Sequence, residues 1–181
     1  MNIKLSLNMK KSILTIFSLC LCSISIGQTD VDEKNSYFPL EKGISKTLTW
    51  YKGKYREVIK DTITYGGRVY TEVAQIFPPN ETINMYYRKS NDTIYFFNEV
   101  KSVDVPFFGI NPKIGERIGN GIIKKTGAKL KTPKGKLDDL LVVEMKYANG
   151  GKDTRYYKKG LGLVAVKNKN KLVCYYVPDR K

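Results

Sequence analysis

The chain has no histidine among its 181 residues. Imidazole is therefore absent as a general base, as a zinc ligand and as the activator of a serine or cysteine nucleophile. Cysteine is scarce too. Of three residues, Cys20 and Cys22 fall within the first 27 positions and only Cys174 lies beyond them. One cysteine cannot make an internal disulfide, so the fold must be held by its core. Long apolar runs are missing: Ile13 to Cys22 spans about half of the roughly 20 residues a membrane helix needs. No glycine-rich phosphate loop with its lysine and hydroxyl partner occurs, and there is no GxSxG elbow. Arginine is infrequent beside lysine, which argues against bidentate phosphate recognition and hence against nucleic-acid binding.

What the chain does have begins with an export leader. Lys4, Lys10 and Lys11 form a basic start, the apolar run follows, and Ser25-Ile26-Gly27 offers small residues where a signal peptidase reads. Residues 1–27 are expected to be a signal peptide cleaved after Gly27, and residues 28–181 a single domain that is periplasmic or secreted, with no transmembrane span in the mature form. Lipidation is disfavoured because leucines, Leu19 and Leu21, precede the two leader cysteines where a lipid-attachment box wants a small residue. The mature chain keeps 29 Lys and Arg against 17 Asp and Glu, a net charge of +12. About 150 residues bury close to 70% of the unfolded surface, enough for an independent core.

Beyond the leader the pattern is short strands of period two separated by turn residues, which predicts an all-β antiparallel meander of about ten strands, curved into a half-barrel or open barrel. Ile44, Leu48 and Trp50 share one face of the first strand, with Ser45, Thr47 and Thr49 on the other. Gly66-Gly67 between two alternating runs is a two-residue hairpin signal. Leu140 to Val143 are apolar on both faces, so that strand should be covered on each side. Alternation fades from Asn98 to Gly121, where Pro106, Pro112 and several glycines punctuate an irregular stretch.

Several segments carry a resemblance: Tyr37-Phe38-Pro39-Leu40-Glu41-Lys42-Gly43 at the start, Lys113-Ile114-Gly115-Glu116, Thr132-Pro133-Lys134-Gly135, and the closing Tyr156-Tyr157-Lys158-Lys159-Gly160-Leu161-Gly162-Leu163-Val164. Together they resemble small exported proteins of unknown function from Bacteroidetes-type bacteria. That group is similar in turn to the half-barrels that carry lipoproteins across the periplasm. The resemblance implies a curved sheet with a concave apolar face, and it transfers no catalytic or ligand-binding residue.

Candidate functional residues are therefore few. The acids Asp138, Asp139 and Glu144 are the densest carboxylate group, but neighbours on a strand point to opposite faces and make no catalytic pair. No catalytic residue, metal site or cofactor is expected. Six lysines and no acid lie between Lys124 and Lys136, and alternation would gather Lys125, Lys129 and Lys131 into a basic stripe suited to anionic headgroups or an acidic partner. Phe107 and Phe108 either cover the mouth of the concave face or plug the core beneath their loop. The expected function is that of a non-enzymatic binding module of the cell envelope with a protein or glycan partner, a periplasmic immunity protein against a toxin being one form. The alternative is a carrier of a lipid or other amphiphile.

Overall fold

Alternation of apolar and polar residues becomes pleated backbone along most of the chain. The computed structural model describes residues 32–51 and 53–179, so the expected leader lies outside the described residues. A 3-10 turn, Glu33–Asn35, precedes twelve strands: β1 Ser45–Trp50, β2 Gly53–Tyr65, β3 Arg68–Phe77, β4 Glu81–Ser90, β5 Thr93–Asn98, β6 Val103–Gly109, β7 Arg117–Ile118, β8 Gly121–Thr132, β9 Gly135–Lys146, β10 Lys152–Lys158, β11 Gly162–Asn168 and β12 Lys171–Val177.

All pairings are antiparallel, in one sheet ordered β6-β5-β4-β3-β2-β1-β12-β11-β10-β9-β8-β7. Each strand pairs with its chain neighbours, except that β6 and β7 are the two sheet edges and β1 pairs with β12. The sheet curls into a nearly closed barrel whose opening lies in mid-chain. Its two halves share one core: Ile59, Val73, Tyr87, Ile94 and Phe108 from β2 to β6 meet Ile118, Ile123, Leu141, Val143 and Tyr157 from β7 to β10. Each such side chain contributes about 1.5–3 kcal/mol by leaving water.

Ten of the strands lie where alternation places them. The two additional ones, β6 and β7, fall in the stretch that reads as irregular. Pro106 interrupts β6, and a register shift between Ile94 and Tyr95 opposes it. An edge strand tolerates such a residue because one side of it needs no ladder donor. β7 has only two residues, too few to alternate.

The Gly66-Gly67 turn joins β2 to β3 with both glycines at positive φ, 54° and 73°, as a tight hairpin requires. On β9, Leu141 and Val143 face the barrel core, while Leu140 and Val142 belong to a second cluster with Ala128, Leu130, Val164 and Ala165. This strand is covered on both faces, as expected. The cover comes from the far end of its own hairpin with β8, bent where Gly127 and Asp139 take φ of 65° and 56° and the register shifts.

The segment before β1 is a strap laid across one end of the barrel. Glu33 pairs with Lys89 of β4, and its other carboxylate oxygen accepts the Leu40 N–H at 2.8 Å. Ser36 O accepts the Gly160 N–H at 2.8 Å, in the turn between β10 and β11. Gly160 has φ of 70°, and a Cβ there would approach Lys34 O to 3.2 Å. Between these anchors Tyr37 and Leu40 are buried, and the Phe38 ring packs edge-on against Tyr87 and Phe107, with centroids 4.9 and 5.3 Å away.

Candidate ligand cavity in the barrel

Strand alternation sends a set of polar side chains inward. Lys46 sits between Ile44 and Leu48 on the inner face of β1, Glu57 between Tyr55 and Ile59 on β2, Gln75 between Val73 and Phe77 on β3, and Arg155 two residues before Tyr157 on β10. Lys46 is 6% exposed. Its ammonium pairs with Glu57 Oε1 at 2.6 Å and donates to Leu161 O, and Gln75 Nε2 donates to Glu57 Oε2 at 3.2 Å. The result is an ion pair in which each member also has a neutral hydrogen-bond partner.

Arg155 is held differently. Its Nη2 donates to the Tyr147 hydroxyl at 3.1 Å, and that hydroxyl donates to Asp153 Oδ2 at 2.7 Å. Asp153 Oδ1 accepts from Asn168 Nδ2 at 2.8 Å. Arg155 Nε is buried and has no hydrogen-bond partner among the described residues.

These groups border two adjoining cavities of about 300 Å³ each. The first has apolar walls from Phe38, Ile59, Val73, Met85, Phe96 and Phe107, with Lys46, Glu57 and Arg155 as its charged lining. The second is bounded by Trp50, Tyr55, Phe77 and Val166, and it shares Gln75, Arg155 and Leu163 with the first. Arg155 thus stands where the two meet. Volumes of this order are at the lower end of small-molecule sites, which combine apolar walls with a few placed polar groups.

Ionisation inside the barrel is suppressed by burial. Loss of solvent pushes the phenols of Tyr55, Tyr87 and Tyr157 upward, so all three stay neutral at physiological pH. The Cys174 thiol, fully buried beside Leu48, Tyr55 and Val166, is pushed up to about 12 by the same cause. A protonated thiol of this kind is a small apolar residue.

Of the residues singled out in the sequence, Phe108 is buried in the core against Tyr157, and Phe107 is half-buried on the wall of the first cavity. Lys125, Lys129 and Lys131 are all exposed. Lys129 and Lys131 alternate with buried Ala128, Leu130 and Thr132, whereas two register shifts separate them from Lys125. Acids from β9 answer part of the lysine run: Lys124 lies 3.9 Å from Glu144, and Lys136 lies 3.8 Å from Asp138. On β1, Leu48 is buried, but Trp50 at the strand end is 42% exposed. Thr49 on the opposite face is buried, because its hydroxyl bonds the Tyr175 backbone N–H and C=O of β12. Composition did not point to Lys46, Glu57, Gln75 and Arg155. The signal for them is positional, a polar residue in register with buried apolar residues two places away.

Two solved structures resemble this barrel. One, of a protein from Parabacteroides distasonis inferred to be a lipoprotein, superposes with a TM-score of 0.50 at 14% identity, covering 79% of this chain and 96% of that one. The other, of a protein from Bacteroides fragilis inferred to be exported and described as having a YmcC-like fold, gives a TM-score of 0.49 at 14% identity, covering 79% and 97%. The likeness to the Parabacteroides distasonis protein is one of fold. No protein family and no curated protein matches the chain. Among the described residues no helix is long and apolar enough to cross a membrane, and no cluster of acids and cysteine is placed to hold a metal ion.

Proposed function

We propose that the protein is an exported, non-enzymatic binding protein of the cell envelope that holds a small amphiphile inside its barrel. The observation that carries this reading is the partly enclosed apolar cavity, about 300 Å³, with a charged lining confined to Lys46, Glu57 and Arg155. Such a volume holds about ten groups the size of a water or methylene at ~30 Å³ each, the scale of a short acyl chain. Export is supported by the leader-like first 27 residues. Absence of enzymatic activity is supported by the lack of histidine and by a cysteine held as a neutral thiol.

Native mass spectrometry of the protein purified from its own envelope tests the reading. A retained apolar ligand is expected, and its loss is expected in Val73→Phe, which fills the cavity from an inner wall position. Protein that carries no such mass and binds no added single-chain amphiphile overturns it.

A second reading, toward a glycan or protein of the envelope, rests on the exposed Trp50–Tyr51 pair at the β1–β2 turn, 42% and 66% accessible with ring centroids 5.8 Å apart. Aromatic faces of this kind stack on sugars or anchor interfaces. Substituting both by alanine is expected to abolish any such binding while leaving the first cavity, which neither residue lines, intact.

A further inference from the structure

We infer that the ligand of the barrel cavity carries one negative charge, a carboxylate head on an apolar tail, and that Arg155 receives that head. The inference rests on the reading of the interior as an amphiphile site and goes further by assigning the head group.

The charges that line the two cavities are Lys46, Glu57 and Arg155, two positive and one negative. Lys46 and Glu57 neutralise each other at 2.6 Å, with Leu161 O accepting from the ammonium and Gln75 donating to the carboxylate. One positive charge is left over. A guanidinium has five N–H donors. Nε of Arg155 has no partner among the described residues, and the side-chain acceptors around it are neutral phenols, Tyr157 and, at 3.1 Å, Tyr147. The nearest carboxylate in this network, Asp153, is reached only through that phenol and lines neither cavity.

Holding a cation away from water without a direct counter-charge is unfavourable, and a ligand that brings the anion removes the deficit. The planar guanidinium matches a carboxylate in a two-point contact, which a rounder or neutral head does not reproduce. Phe38, Ile59, Val73, Met85, Phe96 and Phe107 then lie around the tail.

The test is calorimetric titration of the protein with decanoate and with decanol, which share a tail and differ in the head. Decanoate is expected to bind at least about tenfold tighter, the scale of one charge-assisted contact. Arg155→Gln is expected to bring decanoate down to the affinity of decanol, and Arg155→Lys, which keeps the charge but not the fork, to retain part of the preference. Equal affinities in the unmodified protein overturn the head-group assignment and leave the amphiphile reading standing, a result that does not depend on any variant folding. A decanoate preference that survives in Arg155→Gln also overturns it and makes Arg155 a purely structural partner of Tyr147. Binding of neither compound removes the amphiphile reading, and with it this one.

Discussion

Asp104 ties the open edge of the barrel to its neighbours. Standing on β6, it accepts from Arg68 Nη1 and Arg88 Nε at 2.7 Å each and from the Tyr70 hydroxyl at 2.9 Å, on strands β3 and β4. Burial alone would raise its pKa, but the hydrogen bonds from Arg88 and Tyr70 and the arginine charges outweigh that and hold the carboxyl below the ordinary aspartate value. A carboxylate whose folded pKa is depressed contributes stability that is present above the unfolded pKa of about 3.9 and is lost as pH falls through the lower folded value. Asp104→Asn should therefore cost about 2 kcal/mol at neutral pH, the scale of a part-buried hydrogen bond to a charged group. The urea midpoint of the variant should also fall less than that of the parent between pH 5 and pH 2, a range across which the unfolded carboxyl takes up its proton. Cys174 makes the opposite kind of prediction. In a chain beginning at Gln28 it is the sole cysteine, and burial holds its thiol near 12. A disulfide reagent at pH 8 should leave the native protein unlabelled and modify one thiol per chain once denaturant unfolds it. Prompt labelling of the native state would contradict the packing around Leu48 and Val166.

Among the elements, the strap is the one whose removal should be felt at the ligand site, since Phe38 and Pro39 form part of the first cavity's wall. Phe38→Ala should cost about 2 kcal/mol, less than the ~3–5 of a fully buried phenylalanine because this ring is only partly buried. It should also speed release of a bound amphiphile, which stopped-flow displacement would read as a larger off-rate. Nothing periodic marks residues 33–40, so the sequence shows their apolar content but not that Glu33 and Ser36 fasten them across the barrel end. The regular strands were legible because one face of each meets a core and the other meets water, and the pleat converts that difference into alternation. β6 escaped because Pro106 breaks the pattern at the one kind of strand that can accept it. The cavity escaped for a related reason. Lys46, Glu57, Gln75 and Arg155 look like solvent-facing residues by type, and only the buried partners two positions away, Leu48, Ile59, Val73 and Tyr157, reveal the face they occupy. Phe107 and Phe108 were visible as an apolar pair, yet that both rings join one interior cluster follows from the register shift against β5, which leaves Phe107 without a partner there.

At the scale of the molecule, a net charge of +12 over residues 28–181 favours anionic surfaces, and Lys125, Lys129 and Lys131 are all exposed to approach one. Each lysine near such a surface is worth ~1 kcal/mol. Reversing all three to glutamate should weaken sedimentation with anionic vesicles by at least about tenfold. Near 1 M salt, where charges are screened within about 3 Å, parent and variant should bind equally little. Equal binding at low salt would assign the attraction to the rest of the surface. The seam between β1 and β12 has a consequence of another kind. Every other strand pair among the described residues joins chain neighbours and can form as a local hairpin, whereas Thr49 meets Tyr175 across 126 residues. Contacts of such separation are entropically expensive and slow to form. A chain threaded through a membrane from its N-terminus delivers β12 last. Hairpins from β2 to β11 can assemble as they emerge, but the ring of strands has no closing member until passage is complete, so a chain exported in this way would take its final form only on the far side.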